Sequence, residues 1–194
     1  MTDTLAAPAT LAIEVKHSRF IAHAAPVASP EAALAFIETH GDADATHNCW
    51  AYRIGGEYRS SDDGEPAGTA GRPILAAIDG QGYDRVAVVV TRWYGGIKLG
   101  AGGLVRAYGG AAAECLRLGE RLPLVEMREL ALSLPFDELG RAHAALAAFN
   151  AGKLSEDFDE NGAHLRLRLP ADHVQALKTR LRDATRDRVR FTSS

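Results

Sequence analysis

Apolar and polar positions along the chain fall into two successive sets, and each set predicts a mixed unit of strands and helices. Residues 11–15 and 20–27 read as strands on either side of a turn at 16–19. Ser29 is placed to cap a helix, with Pro30 at its first position and Leu34, Phe36 and Ile37 as its apolar face. Residues 49–54 and 57–59 flank Gly55 and Gly56, a two-residue hairpin signal. A short helix is expected over 73–78. Residues 85–91 are β-branched and do not alternate, as in a strand covered on both faces. Over 104–118 a helix is expected with Leu104, Tyr108, Ala111, Cys115 and Leu118 as its stripe, and the small residues of 109–113 let another element approach.

The pattern restarts after Arg121, Leu122 and Pro123. A strand over 124–134 leads to a helix capped by Asp137 and running to Asn150, where Ala151 and Gly152 end it. Residues 153–158 and 164–169 read as a hairpin about Asn161 and Gly162. A helix over 171–182 and a strand over 188–191 complete a β-α-β-β-α-β order, the ferredoxin-like pattern. The expected fold class is therefore α+β, with a boundary near Leu122 separating residues 1–122 from 123–194. No internal repeat or low-complexity tract interrupts either half.

Composition narrows the class without naming a task. The 194 residues hold one large or two small domains, and the net charge of −3 predicts no bulk attraction to nucleic acid or membrane, though a local patch stays open. Cys49 and Cys115 have no disulfide or zinc spacing and fit free thiols in a reducing compartment. The first ten residues lack the basic and apolar segments of a signal peptide, and runs such as 86–90 are too short to span a bilayer. A cytoplasmic protein is expected. Nothing in the chain sets an oligomeric state.

Two segments do not follow a core period and carry the candidate chemistry. Residues 61–73 are acidic and turn-rich; residues 91–103 are basic, aromatic and dense in glycine. The glycine segment follows a buried strand and opens a helix, where free amides hold an anion and Arg92 and Lys98 add charge. The competing reading is a tight connection that needs glycine only for its geometry. A P-loop is excluded because Leu99 follows Lys98, and the dinucleotide fingerprint lacks its third glycine at Val105. Asp62, Asp63 and Glu65 either brace a turn and pair with Arg72 and Arg92, or hold Mg²⁺. His47 and Cys49 share one face of a strand, which fits a hydrogen-bonding histidine beside a small buried thiol better than a nucleophilic pair. Trp93 and Tyr94 should point opposite ways, one buried and one exposed to stack on a base. Lys178, Arg180, Arg182, Arg186, Arg188 and Arg190 form a basic stretch that binds RNA or an acidic surface, or is simply a solvated face; acids at 156–160 cancel much of its charge.

Four strings resemble the IMPACT/YigZ family, in its bacterial two-domain branch. They are Lys16-His17-Ser18-Arg19-Phe20, His47-Asn48-Cys49, Ser61-Asp62-Asp63-Gly64-Glu65-Pro66-Ala67-Gly68-Thr69-Ala70-Gly71, and Arg92-Trp93-Tyr94-Gly95-Gly96-Ile97-Lys98-Leu99-Gly100 running into 102–109. The match spans roughly residues 16–118, and the stretch between Tyr52 and Ser61 is shorter than in some relatives. The resemblance implies an N-terminal α/β sandwich like domain IV of elongation factor G, followed by a ferredoxin-like domain like the last domain of that factor. Eukaryotic members regulate translation by competing for a protein that activates a stress kinase, through an extra N-terminal domain for which this chain leaves no expected room. No catalytic residue comes with the resemblance.

The expected function is a non-enzymatic contact with RNA, the ribosome or a translation factor through a basic, glycine-rich groove. Arg92, Lys98 and Arg106 would meet phosphate and Trp93 or Tyr94 would stack. Gly95, Gly96, Gly100, Gly102 and Gly103 would shape the backbone, and Asp62, Asp63, Glu65 and Arg72 would complete the site. No catalytic residue, metal or cofactor is assigned. Two alternatives stand beside this reading: a Mg²⁺-dependent enzyme or binder of a phosphorylated small molecule or nucleotide, and a protein-interaction adaptor without nucleic acid.

Overall fold

The computed structural model describes residues 2–192. The chain divides into two compact units, Met1–Leu124 and Val125–Ser194.

In the first unit, β2 (Ala9–Val15), β3 (Ser18–Pro26), β4 (His47–Ile54), β5 (Glu57–Ser61) and β6 (Val86–Trp93) form one antiparallel sheet in the order β2-β3-β6-β4-β5. The β6 strand is central and its side chains alternate between two cores. Val86, Val88 and Val90 pack with α2 (Gly71–Gly80) and α3 (Gly100–Leu118), while Ala87 and Val89 pack with α1 (Pro30–His40). Helices on both faces therefore explain its unbroken apolar run, in an antiparallel rather than a parallel sheet. Ser29 caps α1 as its spacing predicts, accepting a hydrogen bond from the Ala32 amide at 3.2 Å.

Three expectations need correction here. Helix α3 begins at Gly100, four residues before the apolar stripe, because its first turn lies at the protein surface. Leu118 is 66 % exposed, and Leu116 fills the core position instead. Arg121, Leu122 and Pro123 are not a plain break but a strand, β7 (Arg121–Pro123), paired with β1 (Asp3–Leu5). Three residues are too few to show a period, and the ribbon is held by long-range contacts. Arg121 binds Asp3 at 2.8 Å and the Gln81 carbonyl at 2.8 Å, and its guanidinium lies 4.4 Å from the centre of the Tyr83 ring.

The second unit carries β8 (Met127–Leu134), α4 (Leu139–Ala147), β9 (Gly152–Asp159), β10 (Gly162–Pro170), α5 (Val174–Ala184) and β11 (Arg190–Thr192). Its antiparallel sheet runs β11-β8-β10-β9, with both helices packed into one core around Leu132, Leu165, Leu167 and Leu177. Asp137 does not cap α4. A 3-10 turn at Phe136–Glu138 precedes the helix, which ends at Ala147, and Asp137 binds Arg188 instead. The hairpin turn is one residue earlier than expected: Asp159 pairs with Gly162, leaving Glu160 and Asn161 at the tip. A side chain at Gly162 would overlap the Leu134 carbonyl, so its glycine serves close strand approach.

Both cysteines are wholly buried in the first unit. Burial pushes the Cys49 thiol up to about 12 against a hydrogen bond to Tyr108, with the charges of Glu65, Asp63 and Asp62 adding to the rise. Burial likewise lifts Cys115 to about 11. A disulfide reagent at pH 8 should therefore leave the native protein unlabelled and count both thiols once denaturant is added. Rapid labelling of the native chain would contradict this packing.

Candidate functional site

The acidic segment folds as a braced turn. The Asp62 carboxylate accepts hydrogen bonds from the amides of Gly68 at 2.8 Å, Gly71 at 2.8 Å and Ala70 at 3.1 Å. Burial works to raise its pKa, but these three amides and the nearby Arg72 charge outweigh it and hold the carboxyl below its ordinary value. Asp63 caps the start of β4, accepting from the Asn48 amide at 2.6 Å. Its carbonyl accepts from His47 Nδ1 at 2.7 Å, and because a carbonyl only accepts, Nδ1 carries the proton. The loop thus spends its carboxylates on its own chain. Among the described residues, no group of three or more His, Cys, Asp or Glu is gathered to hold a metal ion.

Glu65 leaves this turn and reaches the centre of the unit. Its Oε1 accepts from Arg92 Nη1 at 2.6 Å and from the Tyr108 hydroxyl at 2.7 Å. Arg92 Nη2 donates to Ser18 Oγ at 3.2 Å, and the Phe20 and Tyr94 rings flank the guanidinium at 5.6 and 5.4 Å. Glu65 and Arg92 are 8 % and 5 % exposed, so each charge depends on the other for compensation. Burial raises the Tyr108 pKa well above the phenol range, and Cys49 and Glu65 add to the shift, which keeps the hydroxyl a donor.

Above this pair lies a cleft of about 460 Å³. The acidic segment contributes Glu65 and Pro66; the glycine segment contributes Arg92, Tyr94, Lys98, Leu99 and Gly100. Thr46 and His47 close one side, and Ala101 and Leu104 bring in the first turn of α3. Tyr94 is 46 % exposed and Lys98 is exposed. Lys98 has no carboxylate partner among the described residues. The cleft therefore combines an aromatic face, a free cation and helix-terminal amides, a set suited to an anion carried on a flat or apolar body.

Several expected contributors sit elsewhere. Arg92 lines the cleft, but its charge is cancelled by Glu65 before any ligand arrives, so it builds the floor and is not a free phosphate contact. Arg106 lies in an adjoining hollow of about 240 Å³ with Lys16, Val15 and Gly103; Leu99 borders both spaces. Its guanidinium folds back over Gly102, 3.5 Å from where a Cβ would stand. Trp93 is half-buried outside the cleft, with the Arg19 guanidinium 5.2 Å from its ring centre, so neither aromatic is core. Asp62, Asp63 and Arg72 lie outside the lining, and so do Gly95 and Gly96. Gly95 is required by packing: any side chain there would overlap the backbone of His17 and Ser18, and its amide donates to Ser18 Oγ at 3.2 Å. Gly96 and Gly100 take φ of +86° and +73°, which turn the chain into α3.

Thr46, His47, Pro66, Leu99, Ala101 and Leu104 line the cleft but are not among the expected site residues. Thr46 accepts from the Tyr94 amide at 2.9 Å, a contact between residues 48 positions apart that no local pattern signals. The C-terminal basic stretch is largely engaged internally. Arg188 binds Asp137 and Glu138, and Lys178 and Arg182 lie against the Phe191 ring.

A helix-covered antiparallel sheet followed by a smaller α+β unit defines a two-unit α+β protein. The Impact N-terminal domain model matches residues 16–116, and a domain of unknown function, DUF1949, matches residues 132–188. The chain belongs to the IMPACT family. It is 51 % identical over 177 residues to the IMPACT family member in pol 5'region of Thermus thermophilus, covering 90 % of this chain and 97 % of that one. It is 39 % identical over 188 residues to the IMPACT family member YigZ of Escherichia coli (strain K12), covering 93 % and 92 %. A crystal structure described as that of a hypothetical protein matches with a TM-score of 0.67 at 36 % identity, over 100 % of this chain and 98 % of that one.

The buried pair sets a graded series of stabilities. Glu65→Gln leaves the Arg92 charge uncompensated and should cost about 3–5 kcal/mol in denaturant unfolding. Tyr108→Phe removes one hydrogen bond to that carboxylate and should cost about 1.5–3 kcal/mol. A second series concerns acid. The Asp62 carboxyl titrates lower when folded, so its stabilisation is present above the unfolded value of about 4 and is lost as pH falls through the folded value. Melting temperatures measured from pH 6 down to pH 3 should fall less steeply in Asp62→Asn than in the wild type.

Proposed function

We propose that this chain is a non-enzymatic binding protein of the translation apparatus, meeting phosphates of RNA or the ribosome in the cleft of its first unit. The observation that carries the reading is the free Lys98 beside the first turn of α3, with the exposed Tyr94 ring across the same 460 Å³ space. Amides at the start of a 19-residue helix favour an anion, Lys98 adds a mobile charge, and an aromatic face accepts any base. Lys16 and Arg106 in the adjoining hollow extend the positive surface, so a strand crossing both spaces meets cations in succession. Binding rather than catalysis fits the thiol at position 49, which burial holds protonated near neutral pH.

The fold supports the same reading by analogy. The three layers of the first unit fit the sandwich of domain IV of elongation factor G, and the strand order of the second unit fits a ferredoxin-like domain. The two unpaired thiols support a cytoplasmic setting, and the family resemblance supports a part in translational control or stress response. No helix among the described residues is long and apolar enough to cross a membrane.

Single-stranded RNA should bind with an affinity that falls steeply as salt rises. Lys98→Ala and Arg106→Ala should each weaken binding across sequences and flatten the log–log salt dependence by about 0.7 per lost phosphate contact. Fluorescence anisotropy with a labelled oligoribonucleotide from low to physiological salt measures both effects. Absence of binding at low salt, or an unchanged slope in both variants, would remove the reading.

A further inference from the structure

His47 lines one face of the cleft with its ring orientation fixed by the loop beneath it. Its Nδ1 proton is committed to the Asp63 carbonyl at 2.7 Å, and its Nδ1–Cε1 edge lies against Gly64, where a Cβ would stand 3.3 Å away. The opposite nitrogen, Nε2, is therefore unprotonated in the neutral ring and acts as an acceptor. No hydrogen-bond donor among the described residues reaches it. Glu65 Oε2, itself an acceptor, lies 3.8 Å away. The side chain is 21 % exposed and lines the cleft with Lys98, Tyr94 and the first turn of α3. One wall thus presents donors for an anion, and another presents an acceptor that lacks a donor.

A phosphate group alone satisfies the first wall and leaves the second unsatisfied. A ribonucleotide satisfies both, because its 2′-hydroxyl is a donor attached to the sugar that carries the phosphate. We infer that His47 Nε2 accepts the 2′-hydroxyl of a ribonucleotide seated in this cleft, so that His47 selects ribose over deoxyribose. The inference rests on the proposed function, since it requires phosphate at Lys98 and the α3 terminus. The ribonucleotide unit comes from a single RNA strand or from a free ribonucleoside monophosphate, which share the same sugar and phosphate.

The experiment compares three labelled strands of one mixed sequence, about 10 nucleotides long. These are RNA, DNA, and RNA with 2′-fluorine, which keeps the ribose pucker but has no proton to donate. The wild-type protein should bind RNA about fivefold more tightly than either other strand, the effect of one hydrogen bond. In His47→Phe, with folding checked by circular dichroism, that preference should vanish and the salt dependence persist. Competition by adenosine monophosphate against its 2′-deoxy counterpart assigns the source: displacement by the ribo form alone shows that the free nucleotide suffices, and displacement by neither shows that the strand is needed. Equal binding of RNA and 2′-fluoro RNA by the wild type overturns the role of His47 and leaves the phosphate reading standing. Failure of all three strands to bind at low salt overturns both.

Discussion

A carboxylate and a guanidinium buried against each other organise the first unit. Glu65 comes from an irregular loop, Arg92 from the end of the central strand and Tyr108 from the middle of a helix. Isolated burial of either charge would be prohibitive, so the loop, the strand and the helix must reach their final positions together. The rings of Phe20 and Tyr94 beside the guanidinium explain why arginine suits this position better than lysine, since a planar cation lies flat against aromatic faces. Arg92 Nε is buried without a hydrogen-bond partner among the described residues, so the network is not fully satisfied.

The cleft is a by-product of that organisation. Because Arg92 and Glu65 form its floor, the groups that face the cleft are held by elements already fixed from below. His47 is oriented by the same loop that delivers Glu65, and the Tyr94 amide is tied to Thr46 across the mouth. The Asp62 turn keeps this loop in shape through three amides, outside the cleft lining. Residues that look like chemistry in the sequence thus divide into those that build the cleft and those that face it.

That division marks how much was legible in advance. The capped helix at Ser29, the hairpin at Gly55 and Gly56 and the buried central strand follow from local rules, and each formed close to its expected place. The importance of the two irregular segments was visible because they break the core period at high cost in chain entropy. The fate of single residues was not. Pairing of the acidic cluster with Arg92 was one reading of the sequence, but that Glu65 is the partner and that the pair is buried was not legible, and Arg106 reads as a neighbour of Lys98 although the helix turns it into a separate hollow. The ribbon of β1 and β7 escaped because each strand has only three residues and their pairing spans most of the unit.

The same ribbon bears on how the polypeptide matures. Leu5 is 1 % exposed and belongs to the main core; its strand is bridged at Tyr83, but its ladder forms only with Arg121, Leu122 and Pro123. In synthesis from the N-terminal side, that ladder therefore forms only after nearly the whole first unit has been made. The last ladder of this unit is thus supplied by the residues that immediately precede the second.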